Sequence, residues 1–302
     1  MEYVVTANEL TKTFGSFTAV DRLTLQIKRG EIYGFLGPNG AGKSTAIRMF
    51  CGILEPTSGS GTVLGYDLVR EAEKIKPKIG YMSQKFSLYD DLTVQENLNF
   101  YAGLYGLSRG ARKERVREMV AMAGLTGREN ELAANLSGGW KQRLALGCAI
   151  IAGPSLVFLD EPTSGVSPTS RRMFFGIIQE MAARGVTVMV TTHFMDEAEY
   201  CNKIAFIAGG RLMAVDTPDN LKQNVLGGYL VELAVPNAMD MMDGIGRLPY
   251  VRECSLHGPV LHVLLDDAAH AAALRQYAGA EPRPVPPSLE DVFIALARRP
   301  PR

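Results

Sequence analysis

Gly37-Pro38-Asn39-Gly40-Ala41-Gly42-Lys43-Ser44-Thr45 has the form G-x-x-x-x-G-K-S, a phosphate-cradling loop. Glu31-Ile32-Tyr33-Gly34-Phe35-Leu36 precedes it and reads as a buried strand, while Ala46-Ile47-Arg48-Met49-Phe50 opens a helix. Strand, loop and helix in that order give the motif its meaning. The glycines let the backbone curl so that successive N–H groups converge on one phosphate cluster. The helix N-terminus adds a partial positive charge of about half an elementary charge. Lys43 is placed to reach β- and γ-phosphates, and the Ser44 hydroxyl to take a position on Mg²⁺. A plain Gly-rich turn has no need of Lys-Ser in this register, so the stretch points to a nucleoside triphosphate site.

Outward from the loop, 302 residues suffice for a sizeable core and two domains. A hydrophobic content of 46% with 21% charged residues is that of an ordinary globular chain. Thirty-two Lys and Arg balance thirty-two Asp and Glu, so bulk charge favours neither nucleic acid nor an anionic bilayer. Cys51, Cys148, Cys201 and Cys254 are scattered without metal-ligand spacing, which predicts a reducing compartment with no disulfide framework, and Cys51, Cys148 and Cys201, in or beside apolar helical stretches, read as small packing residues. Met1-Glu2-Tyr3-Val4-Val5 carries no targeting pattern. The longest apolar run, Leu144 to Gly153, is about half the ~20 residues a spanning helix needs, so the chain is not expected to cross a membrane.

Before the loop, Leu23, Leu25 and Ile27 alternate with Thr24, Gln26 and Lys28, a half-buried strand in an antiparallel set over residues 3 to 36. Phe14, beside Gly15, suits core packing and adenine stacking equally. Beyond the loop helix, Gly52 is a helix stop and Glu55 to Gly59 a loop; Thr62 to Leu64 and Ile79 to Met82 are strand-like, the latter leading to Gln84. From about 86 to 150 the pattern is helical, with Val116, Met119, Val120 and Ala123 on one face and Lys113, Glu114, Arg117 and Glu118 on the other.

Leu136-Ser137-Gly138-Gly139 offers a second anion-ready helix start, with Ser137 as N-cap and Leu144, Gly147, Cys148 and Ile151 as its apolar face. It is weak alone and gains weight from Leu156-Val157-Phe158-Leu159-Asp160-Glu161, a doubly buried strand ending in two carboxylates. Ligands bind at that end of open α/β sheets. Asp160 is read as a Mg²⁺ ligand, directly or through water, and Glu161 as the group that orients the attacking water and takes its proton. Val186 to Val190 is a third buried strand; His193, just beyond it, is either structural or within reach of a γ-phosphate. Ile204 to Met213 carries a Gly209-Gly210 hairpin turn.

Together these motifs, over residues 3 to about 222, resemble the ATP-binding cassette family, the ATPase subunits of ABC transporters. The resemblance implies a P-loop α/β fold: a mostly parallel sheet, an antiparallel β subdomain and a helical insertion at about 86–150. It implies a head-to-tail pair, read here as a homodimer, that sandwiches ATP. One subunit's loop (Gly37 to Thr45) and the other's Ser137, Gly138 and Gly139 would hold each nucleotide. It makes Phe14 the adenine platform, Gln84 the residue that touches Mg²⁺ and senses a membrane partner, and Lys43, Gln84, Glu161 and His193 the catalytic set. Phe86 to Asn97 resembles the groove for a permease's coupling helix. Two positions depart from the family: Trp140 replaces a Gln and is expected to pack or stack, and Ser167 before Pro168 replaces an Asp. Ser167 should still cap a helix, while the lost charge is expected to weaken coupling between the two sites.

Residues 223 to 302 read as a small α+β accessory domain: a strand at Tyr229 to Val235, a helix at Ala238 to Leu248, a hairpin over Val251 to Leu265, and an Ala-rich helix at Ala268 to Ala278. Ser288 with Asp291 three residues on is a capping-box-like start. Ser288-Leu289-Glu290-Asp291-Val292-Phe293 resembles the C-terminal segment of drug-efflux ATPases that serve ABC-2-type permeases, and Arg298 to Arg302 reads as a disordered tail. The expectation is an export ATPase at the cytoplasmic face of the membrane, partnered by an integral permease and not by nucleic acid. The rival is a non-transport cassette protein acting on ribosomes or DNA. Its DNA-repair type needs a coiled coil for which residues 46 to 135 leave no room, and its ribosomal type carries two cassettes.

Overall fold

The computed structural model describes residues 2–84 and 88–298 and divides the chain into two compact units, Met1–Met213 and Ala214–Arg302. The first unit opens with β1 (Tyr3–Phe14) and β2 (Phe17–Lys28), paired antiparallel, followed by β3 (Ile32–Leu36) and α1 (Lys43–Phe50). Alternation decides which face of β2 is dry: Leu23, Leu25 and Ile27 are buried while Thr24 and Gln26 are exposed. Gly52, with φ +66°, ends the turn after α1 in the left-handed conformation that glycine adopts without a Cβ penalty. β4 (Ser58–Val63) begins inside the stretch expected to be loop, because Ser58 and Ser60 take up free pairing positions along β1. β5 (Tyr66–Asp67) completes the antiparallel sheet, in the order β2-β1-β4-β5.

A short α2 (Ala72–Ile75) leads to β6 (Ile79–Met82), and then to the helical segment α3 (Val94–Leu104), α4 (Arg109–Met122) and α5 (Gly138–Ile150). Val116, Met119, Val120 and Ala123 are buried as their spacing requires. The single apolar face expected for α5 is corrected: every residue from Gln142 to Ile150 is buried, since the helix is surrounded by α3, α4, β6 and the later helix Pro168–Ala183. The unit closes with β7 (Leu156–Asp160), α6 (Pro168–Ala183), β8 (Thr187–Thr192), α7 (Met195–Ala198), β9 (Lys203–Ala208) and β10 (Arg211–Asp216), which runs on past Met213. Gly209 and Gly210 both have positive φ at the β9–β10 turn.

These strands form a six-stranded sheet ordered β10-β9-β3-β8-β7-β6, whose pairs β9-β3, β3-β8, β8-β7 and β7-β6 are all parallel. Parallel register is what assembles the site. Leu36 sits opposite Thr192, and Asp160 opposite Thr191, so the loops leaving β3, β7 and β8 emerge side by side. Phe50 of α1 stacks on Phe158 of β7 with ring centroids 6.3 Å apart, packing the loop helix onto the central strands.

The second unit contains α8 (Pro218–Asn224), β11 (Tyr229–Leu233), α9 (Ala238–Gly246), β12 (Val251–His257), β13 (Val260–Leu265), α10 (Ala271–Ala278), β14 (Arg283–Pro284) and α11 (Leu289–Arg298). Its four strands run in the order β12-β13-β11-β14, and the three described pairings are antiparallel. Val231, Leu233, Ile245, Val263, Leu265 and Leu274 form its core. Residue 222, where the sequence placed the boundary, lies within α8. Of the expected tail, Arg298 closes α11 and residues 299–302 lie outside the described residues. All four cysteines are buried and free, and burial pushes the Cys201 thiol up to about 12.

Candidate functional site

The glycine loop is built by close approach as well as by φ. A Cβ on Gly42, whose φ is +98°, would come within 2.2 Å of the Ala19 carbonyl oxygen, and one on Gly37 within 2.2 Å of that of Ile207. Lys43 opens α1 but folds back into its own loop: Nζ donates to the carbonyls of Gly37 at 2.7 Å and Pro38 at 3.0 Å. Its third proton faces Glu161 Oε1 at 3.0 Å, with the two side chains only 3% and 7% exposed. An ammonium has three donors, and here three acceptors meet it. A cleft of about 300 Å³ lies over this arrangement, lined by Phe17, Ala19, Asn39 to Thr45, Gln84 and Glu161.

Beneath the cleft, Asp160 accepts hydrogen bonds at Oδ1 from Ser44 Oγ at 2.8 Å and from Thr191 Oγ1 at 2.9 Å. Thr191 also accepts from the Glu161 amide at 2.8 Å, bracing the turn in which Glu161 takes φ +46°. A left-handed non-glycine residue stores strain of order 1–3 kcal/mol, a cost kept where a side chain must be aimed. Glu161 Oε2 is thereby brought within 3.2 Å of Gln84 Nε2, which donates to it, and 3.5 Å from His193 Nδ1. Six residues expected at the site from sequence (Lys43, Ser44, Gln84, Asp160, Glu161 and His193) therefore converge. Asn39 to Thr45 line the cleft, while Gly37 and Pro38 act through their carbonyls.

Two supports had no reading of their own in the sequence. Thr191 ties both carboxylate residues to β8. Glu197 is buried on α7, accepts hydrogen bonds from Thr163 Oγ1 and Thr192 Oγ1, and lies 3.2 Å from the Arg171 guanidinium. Burial raises its pKa, against the lowering influence of those hydroxyls and of Arg171. Arg171 also covers the ring of Phe194 at 3.6 Å, and Phe194 packs on His193 with centroids 4.0 Å apart. The signal for Glu197 was a charged residue four positions after His193, but only the fold shows it buried.

Other expected residues lie elsewhere. Phe14 and Phe17 face each other across the β1–β2 hairpin and are 49% and 62% exposed; Phe17 lines the cleft, whereas Phe14 lies 5.3 Å beneath Lys12 Nζ. Ser137 stands at the N-cap of α5, but its hydroxyl makes no cap hydrogen bond, which corrects the capping expected of it. Gly138 and Gly139 pack by Val166 and Ser170, and a Cβ on Gly139 would come within 2.6 Å of Ser170 Oγ. Trp140 stacks under the Arg128 guanidinium at 3.9 Å. Ser167 caps α6, accepting from the Ser170 amide at 3.3 Å with Pro168 as the first helical residue.

Of the groove expected at Phe86 to Asn97, Phe86 and Ser87 lie outside the described residues. Asn97 is buried and pins the rest of the loop, donating to the carbonyls of Tyr89, Leu92 and Thr93 and accepting from the Tyr89 amide. Tyr89 and Phe100 are left exposed in edge-to-face contact at 4.8 Å. No helix among the described residues is long and apolar enough to cross a membrane.

The donor set of Ser44, Asp160 and Gln84 is rich in oxygen and suits a hard cation such as Mg²⁺, and the loop amides with Lys43 suit phosphate. Comparison with known proteins agrees with this chemistry. Residues 20–164 match the family model described as ABC transporter. The chain is 53% identical over 221 residues to the "Probable multidrug ABC transporter ATP-binding protein YbhF" of Escherichia coli K12, a match spanning 73% of this chain and 38% of that protein. It thus spans well under half the length of that relative. It is 34% identical over 294 residues to the "Nod factor export ATP-binding protein I" of Rhizobium etli, covering 97% of this chain and 92% of the relative. A solved structure titled as the dimeric post-hydrolysis state of the ATP-binding cassette MJ0796 bound to ADP and Pi superposes with TM-score 0.65 at 27% identity, covering 70% of this chain and 98% of that one. With its parallel sheet, glycine loop and paired carboxylates in that register, the chain belongs to the ABC transporter family as one of its ATP-binding subunits.

Proposed function

We propose that the chain hydrolyses ATP with Mg²⁺ and powers export through a separate ABC-2-type permease, as a peripheral subunit at the cytoplasmic face of the membrane. The observation that carries the enzymatic part is the convergence of Lys43, Ser44, Gln84, Asp160, Glu161 and His193 on one cleft. Lys43 and the amides at the start of α1 bind the β- and γ-phosphates. As Lys43 turns to phosphate it leaves Glu161 Oε1, and that carboxylate then orients water and accepts its proton. Gln84 holds Glu161 Oε2 by a hydrogen bond, and His193 Nδ1, 3.5 Å from the same oxygen and without a hydrogen-bond partner, turns to the γ-phosphate. Ser44, Asp160 and Gln84 would hold Mg²⁺, whose charge neutralises the phosphate oxygens.

Ser137, Gly138 and Gly139 pack beside α6 and its preceding loop, apart from the cleft lining, which supports completion of each site by a second copy of the chain. The exposed Tyr89, on a loop pinned by Asn97, and Phe100, on α3, support a docking face for the permease. The export direction draws on the two named relatives, one a multidrug and one a Nod factor export protein.

The test is phosphate release from Mg-ATP by the purified chain, with affinity capture from detergent-solubilised membranes. ATP-dependent pairing, turnover and recovery of a multi-span membrane protein are expected. Neither pairing nor turnover, with or without that partner, would overturn the enzymatic reading. Recovery with ribosomes or DNA alone would overturn the transport reading.

A further inference from the structure

The second unit contains a cluster of ligating side chains that owes nothing to the nucleotide cleft. His257 ends β12, His262 lies in β13 and Asp291 lies in the first turn of α11. Within the hairpin His257 pairs with Val260 and His262 with Ser255, which sets the two histidines diagonally on one face. Their rings stack at 3.8 Å with planes 8° apart, and both nitrogens address one atom: His262 Nδ1 lies 2.8 Å and His257 Nε2 3.3 Å from Asp291 Oδ1. One ligand atom from each of the three residues falls within 4.8 Å of the others.

The carboxylate is divided between two duties. Asp291 Oδ2 accepts from the Ser288 amide at 2.8 Å and from Ser288 Oγ at 2.6 Å, closing the reciprocal cap at the start of α11. That leaves Oδ1 aimed at the imidazoles, with its orientation fixed from outside as metal-ligating carboxylates are. His257 Nε2 is buried without a hydrogen-bond partner, 3.3 Å from that oxygen. A face-to-face imidazole pair gains little from stacking, and the buried His257 Nε2 faces a carboxylate oxygen without making a hydrogen bond. A cation between the three groups relieves both problems.

We propose that His257, His262 and Asp291 bind a divalent transition ion of the zinc class, clasping the β12–β13 hairpin to α11. Two imidazoles and a carboxylate suit zinc, and three protein ligands leave a position for water. Ligand bonds of about 2.0–2.1 Å imply ligand-to-ligand edges of roughly 3.3 Å in a tetrahedron, close to the two carboxylate-to-imidazole spacings of 2.8 and 3.3 Å. The parallel rings cannot both contain one ion in plane, so one must rotate about χ2, a torsion that is broad in histidine.

The experiment is a competition titration of the chelator-stripped 302-residue chain with Zn²⁺ against a chromophoric chelator, followed by Co²⁺ substitution and visible spectroscopy. One zinc per chain is expected, lost in the His257→Gln/His262→Gln double variant and kept in His270→Gln. Ser288→Ala should weaken binding about tenfold, the usual cost of removing an outer-shell partner. The cobalt form should show ligand-field bands without thiolate charge transfer. Absence of stoichiometric zinc on the wild-type chain overturns the proposal, as does a thiolate band in the cobalt form or unchanged uptake by the double variant.

Discussion

The two units of this chain bury carboxylates in opposite ways. In the cassette unit two buried groups at the cleft close on themselves: Lys43 meets three acceptors, and Asp160 receives the hydroxyls of Ser44 and Thr191. In the C-terminal unit Asp291 is committed to Ser288 on one side and faces two imidazoles on the other, one with an unpartnered nitrogen. The contacts of Lys43 are satisfied and exchangeable, because each of them can pass to a phosphate oxygen. The second is held by the helix cap at Asp291 Oδ2, and only the Oδ1 side, facing the imidazoles, can exchange its contacts. Parallel sheets gather loop ends at one edge, whereas an antiparallel hairpin presents side chains diagonally across its face.

Substitutions test that contrast, beginning with the largest effect. Glu161→Gln should reduce phosphate release by about 10²–10⁴-fold, as for loss of a general base, while ATP-bound dimers accumulate in size-exclusion chromatography. Near-normal turnover would remove Glu161 from the role. Lys43→Met should destabilise the nucleotide-free cassette by about 3 kcal/mol in chemical denaturation, because it leaves Glu161 buried without its cation. The Lys43→Met/Glu161→Gln pair should recover part of that loss, with a coupling of about 1–3 kcal/mol. Additive losses would mean that the ion pair does not organise the cleft.

Next in size, Phe17→Ala should weaken ATP binding about tenfold by fluorescent-nucleotide titration, and more than Phe14→Ala, since base stacking on an aromatic ring contributes about 1–3 kcal/mol. The reverse order would restore Phe14 as the platform. An effect of similar size belongs to the C-terminal unit: Asp291→Asn should cost about 1–2 kcal/mol. Burial raises the Asp291 pKa, but the hydrogen bonds from Ser288 and His262 outweigh it, and the folded pKa falls below the ordinary carboxylate value. Its stabilisation is therefore complete above that ordinary value and is lost as the pH falls through the folded one. Acid unfolding of the wild type should show this dependence, and Asp291→Asn should lack it.

Much of the cassette was legible because its signals are local. Gly37 to Ser44, the run ending at Asp160-Glu161, and the Gly209-Gly210 turn each state their geometry within a few residues. Trp140 was read as a packing or stacking position and lies under Arg128, and Ser167 was read as a cap and caps α6. The burial of α5 on every side from Gln142 to Ile150 was illegible, since a stretch surrounded all round has no amphipathic period to detect. Phe17 was missed because nothing in its spacing separates it from Phe14; only the path of the hairpin puts one ring and not the other at the cleft.

Short-range chemistry was thus settled by the order of residues alone: where phosphate can be cradled, where carboxylates end a buried strand, where helices begin and stop. Long-range meetings belonged to the tertiary structure. Register between parallel strands brought Thr191 to Asp160, and packing turned Glu197 inward beneath His193's turn. An antiparallel hairpin and a capped helix drew His257, His262 and Asp291 to one point. The division has a physical cause: backbone propensities and caps act over one turn or one strand, while contacts between residues far apart in sequence exist only once the core has excluded water and fixed which faces meet.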